Sequence, residues 1–316
     1  MMIKTGFSVF LLLIQAAYCY SQSYRNEFGF RSENDSYLGQ GSDRYYTNGL
    51  FLYYRHAGNP EKLNENVEKK VFEITAGQRI YNPFSGYAPD PAKHDRPFAG
   101  YLYAGAALHW LYAAESSLKA SVEVGTIGPN SLGEDGQDLL HRTIGFYRLS
   151  GWDYQISNEA TVNLAARYTR LLHRAANQHT DFLLDGYVNA GTLRNDAAAA
   201  IVFRAGRINQ LFNSGYNDAV VGESGTTKLT NRELYFYAKP QLNYVVFDAT
   251  VQGGIFNNDS PVVFDVEPLV FTQQLGFSYN SPRFTFDFSV FFKTKEIEST
   301  AKAHQYGAVS ASYRFN

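Results

Sequence analysis

The sequence predicts an all-β protein: a single transmembrane antiparallel β-barrel of twelve strands spanning residues 22–316, after a cleaved signal peptide over residues 1–21. Three observations predict it. Side chains alternate apolar and polar with a period of two through most of the chain. Aromatic residues reach 16%, with 24 Tyr, 24 Phe and 2 Trp, as a large β surface with aromatic girdles requires. The N-terminus reads as an export signal.

In that signal Lys4 is the positive region and Phe7 to Ile14 the apolar one, with cleavage expected after Ser21. Bulky Tyr18 argues against lipid attachment at Cys19, and the sole cysteine leaves the mature chain no disulfide. No later run of 18 apolar residues could form a transmembrane helix. Lys+Arg total 28 against 30 Asp+Glu, a net charge of −2, which leaves no basic field to hold nucleic acid. With 45% hydrophobic and 18% charged residues, disorder is excluded.

The alternation places strands at 26–34, 45–56, 71–81, 98–112, 116–127, 158–173, 179–193, 197–208, 231–246, 268–280, 282–294 and 303–315. In 283–293, Phe284, Phe286, Phe288, Val290 and Phe292 alternate with Thr285, Asp287, Ser289 and Phe291. Several segments exceed the length usual in soluble sheets, and a tilted transmembrane strand needs about 9–11 residues. A thirteenth segment, 248–257, contains Gly253-Gly254 and is dropped, because single-chain bacterial barrels have even strand numbers.

With both termini periplasmic, connections after odd-numbered strands face outward. Those at 35–44, 82–97 and 128–157 are longer than turns require, and such loops carry function. Two inward connections, 57–70 and 209–230, are also long, for no reason visible in the sequence.

Three polar clusters fall on the outward rim: Glu33-Asn34-Asp35 with Asp43-Arg44-Tyr45-Tyr46-Thr47-Asn48-Gly49, then Asp95-Arg96-Pro97-Phe98-Ala99-Gly100, then Gly128-Pro129 with Gln137, His141 and Gly151-Trp152-Asp153. Were Asp135–Phe146 helical, Leu140 and Ile144 would make an apolar stripe, and Gln137 and His141 would share a face. Singly these residues have plain readings. Asn34-Asp35 is ordinary turn chemistry, His141 a solvated loop histidine, Thr47 common strand composition, and Asp95-Arg96 a rim ion pair worth about 0–1 kcal/mol. Their joint placement on one rim argues for a site. The other histidines (His56, His94, His109, His173, His179 and His304) show no metal-ligand spacing.

Together these motifs resemble the family of outer-membrane lipid A 3′-O-deacylases, specifically over residues 26–159 and in barrel character beyond. The resemblance implies a twelve-stranded barrel with its active site at the outer-leaflet end, cleaving the 3′ acyl or acyloxyacyl ester of lipid A or lipopolysaccharide, with calcium required. By position, Asn34, Asp35, Thr47, Gln137 and His141 match the family's active site. The expected acidic residue shortly after the histidine is missing. Tyr147 stands there instead, with Asp153 and Glu159 as candidates for its role.

The chemistry is coherent. Ester hydrolysis needs activated water, a task for His141, since an unperturbed imidazole titrates near 6.5. It also needs oxyanion stabilisation, which Ca²⁺ on oxygen ligands such as Asp35 and Asn34 can supply. Gln137 and Thr47 would be positioning groups. No Gly-x-Ser-x-Gly elbow occurs, and Ser36 and Ser131 have no triad spacing. The rival readings are a passive porin-like or structural barrel, and a phospholipid acyl hydrolase. A monomer embedded in the bacterial outer membrane is expected.

Overall fold

The computed structural model describes residues 24–39, 43–59 and 65–316, so the expected signal peptide lies outside the described residues. Twelve strands form one closed antiparallel barrel: β1 (Asn26–Asn34), β2 (Tyr45–Ala57), β3 (Val67–Asn82), β4 (Ala99–Tyr112), β5 (Ser116–Ile127), β6 (Glu159–Arg174), β7 (Thr180–Gly191), β8 (Arg194–Arg207), β9 (Glu233–Asp248), β10 (Leu269–Asn280), β11 (Phe284–Lys293) and β12 (His304–Phe315). Each strand pairs with its sequence neighbours, and β1 closes on β12 in a register that sets Phe28 opposite Tyr313. Closure leaves no strand edge unpaired.

The dropped segment 248–257 is not a strand. Asp248 accepts a hydrogen bond from the Thr250 N–H and caps a single helical turn, Ala249–Gln252. Among the described residues no helix is long and apolar enough to cross a membrane. The strands carry that role: outward Phe28, Phe30, Leu50, Leu52, Phe72 and Ile74 are all exposed.

The inward faces are polar and ion-paired. Arg55 meets Glu27 at 2.7 Å and Glu73 at 2.5 Å, Asp185 accepts from Arg167 and Lys239, and Arg204 grips Asp181 with two nitrogens. Inward charge is plentiful. Pairing neutralises it, as buried charge demands.

Both ends of the lumen are filled. The long connection 208–232 folds back inside: Asp218 meets Arg55 at 3.0 Å, and Lys69 Nζ donates to the carbonyls of Ala219 and Gly222. Phe212, Ala219 and Val221 pack against Ala57, Val71 and Leu111. Its length is that of a plug. The other unexplained connection shrinks to 58–66, because β3 starts at Val67. At the opposite end Tyr45, Val251, Ile297 and Ala301 form an apolar lid. Phe291 is buried and stacks on Tyr306, as its inward parity predicts.

Candidate active site

The site is built on the outside of the wall. On β3 the residues in phase with exposed Phe72 and Ile74 are Gln78, Ile80 and Asn82, and at its upper end this face is buried. Asn34 and Asn48 pair in register on the outward phase of β1 and β2. A wall that should present apolar groups to lipid therefore turns polar at the upper ends of β1–β3, and the loops after β3 and β5 cover it.

The cover is α1, Gly133–Ile144. Glu134 and Asp135 in its first turn and His141 and Arg142 in its last complement the helix dipole. Gly145, at φ 76°, ends it in the left-handed region. Its start lies against β4 through two glycines. A Cβ on Gly100 would stand 2.0 Å from Ser131 Oγ, and one on Gly133 would stand 2.9 Å from Gly100 Cα. Gln78 Nε2 ties this corner by donating to the Ser131 and Leu132 carbonyls.

The helix buries Gly133, Gln137 and His141 and exposes Leu139 and Ile144. This corrects the expected stripe: Ile144 faces outward, and the buried stripe is the polar one. Leu132, Leu139, Ile144 and Phe146 thus form an exposed apolar border around a buried polar site.

His141 is 2% exposed. The turn after Gly145 brings the Tyr147 carbonyl back to 2.8 Å from Nδ1. A carbonyl only accepts, so Nδ1 carries the proton. Nε2 has no hydrogen-bond partner and stands 3.1 Å from Asp43 Oδ2. That same oxygen accepts from the Tyr147 hydroxyl at 2.5 Å. Burial and then the Asp43 carboxylate raise the Tyr147 phenol far above its ordinary range, so it stays a donor. Gln137 Oε1 accepts from Trp152 Nε1 at 3.1 Å, and its buried Nε2 has no partner.

Thr47 occupies a bulge: β2 pairs through Tyr46 and Asn48, and the register skips the residue between. Bulges re-aim side chains, and this one sends the buried hydroxyl to Asp43 Oδ1 at 3.2 Å and Asp35 Oδ1 at 3.4 Å. Asp35 Oδ2 accepts from the Arg44 N–H. Burial raises the Asp35 carboxyl to about 7, opposed by the Arg44 N–H and reinforced by neighbouring Asp43. Asn34 does perform turn chemistry, its Oδ1 accepting from the Ser36 N–H at 2.7 Å, while Nδ2 donates to Asn48.

The structure thus links Asp35, Thr47 and His141 through Asp43, sets Gln137 one turn before His141 on the buried face of α1, and ties Asn34 instead to Ser36 and Asn48. The two acids considered after the histidine lie elsewhere. Asp153 is exposed, and Glu159 clamps the backbone N–H groups of Ile255 and Phe256 at 2.9 Å. The carboxylate at His141 is Asp43. It stood inside the segment 43–49 and escaped assignment because the partner was sought by nearness in sequence. Asn82, fully buried with both side-chain polar atoms unpartnered, was not singled out in the sequence, and Trp152 stood in the third cluster without a role. Ser131 Oγ donates to the Gly128 carbonyl. Asp95 accepts from Tyr45 and the Phe84 N–H, while Arg96 stacks on Tyr81, so the two form no pair with each other.

Among the described residues no three His, Cys, Asp or Glu side chains converge as a metal cluster. The oxygens present nonetheless fit one hard cation. Asp35 keeps acceptor capacity beyond one backbone N–H and a 3.4 Å contact to Thr47, Asn34 Oδ1 accepts only the Ser36 N–H, and burial raises the Asp35 carboxyl to about 7.

A family model described as outer membrane protein LpxR matches residues 7–315. The structure of LpxR from Salmonella typhimurium superposes with a TM-score of 0.75 at 20% identity, covering 92% of this chain and 100% of that one. The KdgM porin gives 0.38 at 7% identity over 92% and 99% of the two chains, and the translocator domain of the autotransporter NalP from Neisseria meningitidis 0.43 at 10% over 99% and 96%. No curated protein matches the sequence.

Proposed function

The chain belongs to the LpxR family of outer-membrane lipid A 3′-O-deacylases, and from that premise we propose that it hydrolyses the 3′ acyl ester with water activated by His141 and with calcium held at Asp35 and Asn34. It is an outer-membrane β-barrel ester hydrolase. The observation that carries the mechanism is the placement of the buried polar cluster on the outer face of the wall, bordered by exposed Leu132, Leu139, Ile144 and Phe146. A site so placed opens sideways to the outer leaflet, where an acyl chain can reach it without leaving the apolar phase. A lumen closed at both ends serves no pore.

The residues divide the work. His141, with its Nδ1 proton committed to the Tyr147 carbonyl, presents the Nε2 lone pair. Water gives a proton to Nε2 as its oxygen bonds to the ester carbonyl carbon. The bond to the 3′ oxygen then breaks, and the proton on Nε2 passes to that oxygen, leaving a free fatty acid and a 3′ hydroxyl. Gln137 Nε2, a buried donor without a partner, orients the water. Thr47 fixes Asp35. When bound, calcium supplies a Lewis acid for the carbonyl oxygen.

The test is mass spectrometry of lipid A incubated with detergent-purified protein, with calcium or with chelator. The expected result is calcium-dependent loss of the 3′ acyl or acyloxyacyl mass, abolished in His141→Ala. Full activity in His141→Ala would remove the base assignment, and cleavage undiminished in chelator would remove calcium.

A further inference from the structure

Asp43, unlike Asp35, has both oxygens engaged by side chains. Oδ1 takes the Thr47 hydroxyl at 3.2 Å, and Oδ2 takes the Tyr147 hydroxyl at 2.5 Å while facing His141 Nε2 at 3.1 Å. Asp35 keeps more free capacity: one backbone N–H and a long 3.4 Å contact to Thr47. The two carboxylates are therefore not equivalent. Tyr147 is equally unusual, since its carbonyl accepts from His141 Nδ1 while its hydroxyl pins the carboxylate facing Nε2.

This geometry suits one protonation state of the imidazole. With Nε2 unprotonated, the neutral ring stands 3.1 Å from a carboxylate oxygen and gives it no opposite charge. With Nε2 protonated, the ring charge gains a counter-ion in the Asp43 carboxylate at 3.1 Å while Nδ1–H keeps the Tyr147 carbonyl, and because Nε2 makes no hydrogen bond to Asp43 its in-plane direction stays open to water. The surroundings are arranged for the imidazolium, the species formed when the base takes its proton, and such preorganisation lowers the barrier to the step that forms it.

We propose that Asp43 and Tyr147 are positioning residues that stabilise the His141 imidazolium, Asp43 as its counter-ion and Tyr147 by holding both Asp43 and the ring, and that Asp43 is not a cation ligand. The inference rests on the hydrolase reading above. The balance is simple: the proton leaves water for Nε2, stays there through attack with the Asp43 carboxylate as counter-ion, and departs to the leaving 3′ oxygen. Asp43 remains ionised throughout. The Tyr147 hydroxyl, donating to the same oxygen, lowers its pull on the proton.

The experiment compares wild type, Tyr147→Phe, Asp43→Asn and Asp35→Asn as purified full-length mature barrels, each checked for folding by heat-modifiable gel mobility. Two readouts are taken: kcat and KM on lipid A, and direct calcium binding by calorimetry without substrate. Tyr147→Phe should lower kcat about tenfold and Asp43→Asn about 100-fold, the range of a lost proton-transfer aid, with KM unchanged and calcium affinity within about twofold of wild type. Asp35→Asn should lose calcium binding. Should Asp43→Asn fail to fold, Tyr147→Phe decides alone. Calcium binding lost in Asp43→Asn as in Asp35→Asn, or full kcat in Tyr147→Phe, overturns the proposal and leaves the hydrolase reading standing. A wild type that folds and binds calcium but cleaves no lipid A overturns the hydrolase reading, and this inference with it.

Discussion

Gly100 on β4 and Gly133 at the start of α1 meet with no side chain between them, each glycine standing where the other's Cβ would fall. The contact sets how closely α1 approaches the wall, and so where Gln137 and His141 sit relative to Asp43 and Thr47. Gly100→Ala should force the helix outward, because the added carbon would lie 2.0 Å from Ser131 Oγ and 3.0 Å from Gly133 Cα. A displacement of about 1 Å can cost about 100-fold in rate. The barrel, held by its twelve pairings, should keep its heat-modifiable mobility while lipid A release falls by that order. Unchanged release would show that α1 tolerates the shift.

Asp35 gives a pH dependence whose sign can be worked out. Burial raises its carboxyl to about 7 in the folded chain, against about 3.9 unfolded. Between those values the folded state binds the extra proton, so stability from this group falls as pH rises through the window. In chelator, thermal unfolding should therefore shift to lower temperature from pH 4 to 7, and Asp35→Asn should flatten that slope. Calcium must displace the same proton below about 7. Its affinity should rise with pH up to that point and level off above it. Calorimetry at pH 5.5, 6.5 and 8 checks both limbs, and a pH-independent affinity would exclude Asp35 as a ligand.

Much of this was legible in the sequence, for identifiable reasons. The period of two survives in a strand whose faces meet lipid and lumen, so Phe284 to Phe292 announced both β11 and its facing. The plug was not legible. Residues 208–232 carry no period, and their meaning lies in Lys69, Arg55 and Lys119, which wait on distant strands for their carbonyls and for Asp218. The site was half legible. His141 and Gln137 share a face by helical spacing, which sequence displays. Asp43 reaches His141 only because β2 lies beside β3 and α1 folds back over both, and a bulge at Thr47 cannot be counted from composition. The helix inverted expectation, since its apolar side chains are exposed and its polar ones buried.

The plug makes a prediction about conductance. Burial pushes the Asp218 pKa up, but the Arg55 guanidinium and Lys119 ammonium outweigh it and hold it below the ordinary carboxylate value. A depressed folded pKa stabilises above the unfolded pKa and is lost as pH falls through the folded one. At neutral pH the barrel should be silent in planar bilayers. Replacing 209–230 with a short turn should keep the barrel silent while the lid at the other end remains, and replacing 209–230 together with the lid side chains Val251 and Ile297 should open a steady conductance through the polar lumen, where a cavity of about 520 Å³ already lies among Arg79, Lys119, Arg167 and Lys239. Steady conductance by the intact protein at neutral pH would mean the connection does not seal.

Lateral access predicts a split between substrates. Leu139 is 65% exposed and Ile144 49%, and the polar partners of His141 are Tyr147 and Asp43, so neither apolar side chain holds the reacting groups. An acyl chain entering from the leaflet must pass over them, and a charge there costs apolar contact without disturbing the chemistry. Leu139→Glu and Ile144→Glu should each raise KM for lipid A in vesicles several-fold, since removing an exposed apolar contact is worth roughly 1–2 kcal/mol. The kcat at saturation should hold, and so should turnover of a short water-soluble ester, which needs no passage from lipid. Equal losses on both substrates would place these side chains in the chemistry rather than on the path to it, and no loss on either would move the entrance away from α1.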